Sequence, residues 1–446
     1  MTRTPRRTVL WALATSLAVG LAGCSSDDSP VGGNASPEAL DAALEKGGTI
    51  TYWSWTPSGE EQAAAFEKEY PNVTVEFVNV GTGEDHYTAL QNAIKAGTGG
   101  PDVAQIEYRA LPQFALQDSL VDLTGYGFGE LEDDYTASTW ESVHSGGGIY
   151  GLPQDSGPMA LFYNKEVFTQ HGLTVPTTWD EYVAAARKLH TADPTKYIAS
   201  DAGDAGFTTS LIWQAGGRPF QTDGDRDVKV NLQDEGTKKW TAIWNQLIEG
   251  GLATNITGWT DEWYRALGDG TIATVVAGAW MPGILMESVQ AASGKWAVAP
   301  IPTYDGGEPV TAEHGGGTQS VLRQSDNPDL AAAFVRWLNN DQASIDIFLE
   351  SGGFPATTAD LESSEFRDFA SPYFGGQKIN QVLTDAATQV SSGWEYLPYQ
   401  LYAETIFSDT AGQAYVNNTD LNAGLQSWQE ALVEYGNQQG FTVNQG

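Results

Sequence analysis

Strand-like and helix-like patterns alternate along the first third of the chain. Thr49–Trp55 (TITYWSW) is a β-branched and aromatic run that predicts a buried strand. Glu60–Tyr70 reads as a helix, with Pro71 just beyond it as a stop. Val73–Val80 alternates apolar and polar residues like a strand, and His86–Ala96 predicts a second helix closed by Gly97. Pro101–Tyr108 and Ala110–Leu120 repeat the pair. This alternation predicts an α/β layer on a parallel sheet, where ligands bind at the carboxyl ends of the strands. Trp53 to Thr56 and Glu107 to Arg109 occupy those ends.

Further on, Thr178-Trp179-Asp180-Glu181 is a capping box that opens a helix to His190. Trp179, Val183 and Ala186 share one face of it and read as core. Helices are expected at Thr208–Ala215, Thr237–Glu249, Glu262–Leu267 and Asp329–Leu338, and the stretch from Ala403 to Tyr435 is helix-rich. Thr271–Val276 and Lys295–Ile301 predict strands, and Phe220 to Val230 a polar hairpin.

The amino terminus breaks this pattern. Arg3, Arg6 and Arg7 precede an apolar run, Val9–Leu21, which is too short to span a bilayer and suits a signal peptide. The run ends in Leu21-Ala22-Gly23-Cys24, and Cys24 is the only cysteine of the chain. The four residues resemble the bacterial lipobox, which implies cleavage after residue 23 and lipidation of Cys24. Residues 24–47 then form the lipidated cysteine and a flexible tether. The expected location is the extracellular face of the cell membrane, with the lipid as the only membrane contact. Arg6-Arg7 fits either an ordinary basic start or a twin-arginine signal.

Composition narrows the function. The 446 residues suit two to three domains, and 41% apolar residues suffice for packed cores. A formal charge of −35 repels phosphate backbones and disfavours nucleic acid as a partner. One cysteine leaves no internal disulfide and no thiolate zinc site. Fifteen tryptophans on an acidic chain invite a ligand that stacks on rings. Gly146–Gly151 formally fits GxGxxG, but Leu152-Pro153 follows where a helix should open. Asp223–Asp227 lacks the glycine and glutamate of a calcium loop. The five histidines show no metal-ligand spacing, so neither metal nor cofactor is expected.

Several segments together resemble the extracellular solute-binding proteins of ABC sugar importers, the group that includes the maltose-binding protein. They are the lipobox, ITYWSW with its helix, GGPDVAQIEY, GLPQDSGPMALFYNKEVFTQHGLTVPTTWDEYVAAARKL, TIATVVAGAW, KWAVAPIP, HGGGTQSVL and ESGGFPA. The resemblance implies a two-lobed periplasmic-binding-protein-like α/β fold with the ligand cleft between the lobes. Lobe one would comprise residues 48–158 and 272–317, and lobe two residues 159–271 and 318–446. It also implies a monomer without catalytic groups that closes on a carbohydrate and delivers it to permease subunits.

Aromatic rings suit the apolar faces of a sugar, and carboxylates and amides its hydroxyl rim. Trp280 follows a strand among the small residues Gly278 and Ala279 and matches the family's stacking position. Trp53 and Trp55 flank Ser54 at a strand end, Trp55 being nearer that end. Glu107 and Tyr108 fall at the family's hydroxyl-binding position, and Asp155 at one for a ligand-binding acid. Trp213 precedes Gly216-Gly217, and Trp259 and Trp263 lie one helical turn apart; packing competes as a reading of each. Gly316 and Phe354 belong to loops that resemble cleft-lining backbone. Trp394, in Gly393-Trp394-Glu395-Tyr396, falls where the family often supplies a second platform. Several indoles across one cleft suit an oligosaccharide better than a monosaccharide. A secreted glycoside hydrolase stays open, since a carboxylate pair is defined by distance in space. So does a polyamine-binding protein, which would use the same acids and rings.

Overall fold

A helix occupies part of the expected tether in the computed structural model, which describes residues 35–446 apart from residue 225. The basic start, the apolar run and Cys24 lie outside the described residues. Pro37–Lys46 is helical because Ser36 caps it, proline sits in its first turn and Gly47 ends it in a left-handed turn (φ 70°). The helix buries Leu40 and packs on the helix Pro328–Asn340. The flexible tether therefore does not extend to residue 47.

Five strands build the first sheet, in the order Val73–Val78, Gly48–Trp53, Val103–Glu107, Gly317–Val321 and Leu152–Pro153. The first three are parallel, as the alternation predicts. The fourth runs antiparallel and pairs Thr318 with Ile106 and Ser320 with Ala104. Ile50, Tyr52, Phe66, Leu90, Ile106 and Phe334 belong to the core beneath this sheet.

The second lobe is built around a three-stranded antiparallel sheet, Thr274–Ala277, Ala160–Asn164 and Trp296–Pro300. Its helices bury Trp179, Trp240, Trp244 and Trp428 in one core and Leu267, Leu285 and Phe374 in another. The polar hairpin is present as Phe220–Asp223 paired with Asp227–Val230.

This pairing corrects the expected lobe boundaries. Residues 272–313 belong to the second lobe, because two of their strands flank Ala160–Asn164. Residues 317–340 belong to the first, because Gly317–Val321 zips onto Val103–Glu107 and the next helix buries Leu330, Phe334 and Leu338 there. The chain crosses between lobes near residues 154–158, 313–317 and 354–358. Among the described residues no helix is long and apolar enough to cross a membrane.

Candidate functional site

The crossing segments meet at two glycines. Gly315 and Gly316 both have φ near +85° (83° and 89°), a region that favours glycine. A Cβ on Gly316 would lie 2.7 Å from the Tyr108 ring, and one on Gly315 would lie 2.9 Å from Trp280 Nε1. The loop thus lets an aromatic side chain from each lobe approach the same backbone. Tyr108 donates its hydroxyl to the Asp155 carbonyl at 2.8 Å, and Trp280 donates Nε1 to the His314 carbonyl at 2.6 Å.

Carboxylates are concentrated here. Asp155 Oδ1 accepts from Gly317 N at 2.6 Å. Burial pushes this acid up to about 7, against that hydrogen bond and helped by the charges of Glu107 and Glu313. Glu313 accepts from Ser138 Oγ at 3.0 Å, Ser156 Oγ at 3.1 Å and the Gly157 amide. Burial raises it to about 6. Neither acid has the free, solvent-facing setting of a surface carboxylate. Each instead ties crossing segments together.

On the second lobe an aromatic wall borders a cavity of about 180 Å³. Trp259 lies 5.5 Å from Trp280 and 5.2 Å from Trp263, measured between ring centres. The Trp280 ring in turn meets His314 edge-on at 5.5 Å. Trp259 is 53% exposed and holds φ at 66°, an uncommon conformation for a bulky residue. Trp263 is buried behind it and donates Nε1 to Ser200 Oγ at 2.8 Å. Asp201 and Asp204 line the same cavity, and among the described residues no lysine or arginine does. Asp201 is fixed by Trp244 Nε1 at 2.8 Å and Gly203 N at 2.9 Å, and burial raises it to about 7.

A larger groove of about 1450 Å³ opens between the lobes. Tyr87, Tyr108, Arg109, Trp394, Tyr396 and Glu404 contribute to its lining. Glu107 stands at its edge, 2.7 Å from Arg109 and 3.0 Å from the Tyr87 hydroxyl that donates to it. Trp55 is half-buried, with its ring edge-on to His86 at 4.7 Å.

The structure therefore brings Trp259, Trp263, Trp280, Asp155, Tyr108 and Gly316 to one region, with Glu107 beside it. Four expected contacts are corrected by their packing. Tyr108 is 1% exposed, and its hydroxyl is spent on the Asp155 carbonyl. Trp53 is buried in the first core at the end of its strand. Trp213 is 3% exposed, stacked on Trp394 at 5.1 Å and 8°, and donates Nε1 to Ser391 O at 2.6 Å. Phe354 is buried against Phe366. Trp394 borders the groove, but most of its ring is spent on Trp213. Sequence reading passed over His314, Asp201 and Glu404. The adjacency of Glu313-His314 to three glycines was the available signal for the first; Asp201 follows a two-residue strand and Glu404 lies within a short helix, and neither carries a local signal.

A two-lobed α/β protein whose crossing segments converge on an aromatic and acidic site has the build of a solute-binding protein. The family model for bacterial extracellular solute-binding proteins matches residues 52–345, and the chain belongs to that family. One similar solved structure is the ABC transporter associated binding protein from B. animalis subsp. lactis Bl-04 in complex with β-1,6-galactobiose. It is 42% identical with a TM-score of 0.81, over 89% of this chain and 99% of that one. The galacto-N-biose-/lacto-N-biose I-binding protein from Bifidobacterium longum, in complex with lacto-N-biose, is 28% identical. Its TM-score is 0.79, over 90% of this chain and 99% of that one. The lactose-binding protein of Rhizobium radiobacter is 25% identical over 365 residues, 77% of this chain and 83% of its own length. The proteins matched are binding proteins rather than enzymes.

Proposed function

We propose that this chain is the sugar-capturing component of an ABC importer and that its cargo is a neutral oligosaccharide. The observation that carries the reading is the Trp259–Trp263–Trp280 wall beside a cavity whose described lining includes Asp201 and Asp204 and no lysine or arginine. Indole faces cover the C–H face of a pyranose, and the acids and backbone of the crossing loop accept from its hydroxyls. An anionic sugar would meet Asp201 and Asp204 with no lysine or arginine among the described lining residues to pair with it. Trp259 and Trp280 would supply the stacking faces, with Trp263 as backing. Glu107, and Asp155 through the carboxylate oxygen that Gly317 N does not hold, would hold the hydroxyl rim from the first lobe. The likeness to the galactobiose-bound protein supports a galactose-containing disaccharide as the first cargo to test.

Capture would proceed by closure of the two lobes, with the filled protein handed to the permease. The test is calorimetry and thermal melting of the chain from Ala35 onward with β-1,6-galactobiose, lactose, spermidine and galactose. Binding to the folded state raises the melting temperature by mass action. A shift with a disaccharide recovered uncleaved is the expected result. A shift with spermidine alone would replace the cargo by a polyamine, and cleaved sugar would replace the binding protein by a hydrolase.

The lipobox reading places the protein on the outer membrane face through a lipid on Cys24. Cys24→Ser is expected to move the full chain from the membrane fraction to the medium. Retention in the membrane would defeat that anchor.

A further inference from the structure

The Arg109 guanidinium bridges the two lobes. Arg109 follows the strand Val103–Glu107 of the first lobe. Its Nη2 lies 2.7 Å from Glu107 Oε2 in the same lobe. Its Nη1 pairs with Glu404, on the helix Gln400–Thr405 of the second lobe. That helix is anchored in the second core through Ala403 and Phe407, and Trp428 donates Nε1 to Ala403 O at 2.9 Å. The three charged side chains are each only about a fifth exposed, at 21%, 22% and 20%. The Tyr87 ring sits 5.5 Å under the guanidinium, and the Tyr87 hydroxyl fixes Glu107.

Other direct contacts run beside it. Glu141, in the first lobe, accepts from Gly393 N at 3.3 Å. Tyr396 and Leu401 pack against the first core although their segment is rooted in the second. The stretch 391–404 is thus attached to both lobes, and Arg109 is the charged centre of the attachment.

We propose that Arg109 is a positioning residue that latches the lobes together by holding Glu107 and Glu404 on one guanidinium, so that the closed arrangement is populated without cargo. The charge arithmetic gives the idea its sharpest consequence. With Arg109 present the trio carries one net negative charge. Without it, Glu107 and Glu404 face each other across the groove with nothing between them. Burial already pushes Glu404 up to about 7, with Arg109 opposing that shift. Without Arg109 the carboxyl is therefore protonated at neutral pH, and the repulsion is read well above it, where the scattering is compared. A closed population without cargo slows capture, because cargo must await an open molecule.

The test compares the full-length protein with Glu404→Gln, Glu404→Ala, Arg109→Leu and the double variant Arg109→Leu/Glu404→Gln. Small-angle scattering of sugar-free protein reads the separation of the lobes. The expected order of maximum dimension is unaltered protein smallest, Glu404→Ala larger and Arg109→Leu largest. The double variant should retreat toward Glu404→Ala, because it removes the facing charge. Stopped-flow tryptophan fluorescence with β-1,6-galactobiose should show the on-rate rising about threefold or more in Arg109→Leu, with a larger rise in off-rate. A residue that merely stabilises the fold would not speed capture. Equal dimensions and unchanged on-rates in folded variants would overturn the latch. If Arg109→Leu does not fold, Glu404→Ala, which removes the partner carboxylate and leaves Arg109 in place, carries the same comparison with unaltered protein. The scattering arm contains no sugar, so it stands even if the proposed cargo is wrong.

Discussion

Trp280→Ala is expected to raise the dissociation constant for β-1,6-galactobiose roughly 5- to 150-fold, an effect of about 1–3 kcal/mol, while the protein stays folded. The ring sits at the point where the second-lobe strand Thr274–Ala277 passes into the helix Met281–Ser288. It is only partly buried, so its removal does not open a deep core cavity. Its Nε1 holds the His314 carbonyl, and its ring meets Trp259 at a tilt and His314 edge-on. Truncation therefore removes one stacking face and loosens the orientation of a second. Trp280→Phe should recover part of the loss, because it keeps a ring face but not the hydrogen bond. Unaltered affinity by calorimetry would return Trp280 to a packing role. It would leave Trp259, with its exposed ring and strained backbone, as the platform to examine.

Which parts of this architecture were legible follows from the range of the interactions that set them. The strands and helices between Gly48 and Leu116 are local patterns, and they form within a few residues of where hydrophobic spacing places them. The membership of residues 272–340 is decided by strand pairing across more than a hundred residues, such as Val275 with Phe162 and Thr318 with Ile106. No local spacing reports that choice, and the boundaries were misplaced for that reason. Helix Pro37–Lys46 was lost because a short, mostly polar segment declares itself only through its caps and Leu40. The same limit governs the site. Arg109 and Glu404 are separated by 295 positions and meet only in the folded chain.

The indoles make the point most directly, because Trp213 and Trp280 are alike in sequence. Each ends or follows an apolar element and has glycine nearby. Trp280 keeps part of its ring free beside the cavity, whereas Trp213 is consumed by Trp394 and by Ser391, 178 residues away. Trp213→Ala is accordingly expected to cost about 3–5 kcal/mol of stability, the range for truncating a buried aromatic residue. The loss has three parts. The stacked partner Trp394 loses its face, the Ser391 carbonyl loses its donor, and a cavity opens in the second-lobe core. Against a typical total of about 5–15 kcal/mol, this is a large fraction. Denaturant unfolding should show the midpoint falling while β-1,6-galactobiose affinity of the folded fraction changes less than threefold, a loose bound for a residue outside the contact set. The opposite pattern, near-native stability with a large loss of affinity, would place a sugar ring on Trp213. The groove edge at Trp394 would then be part of the binding site.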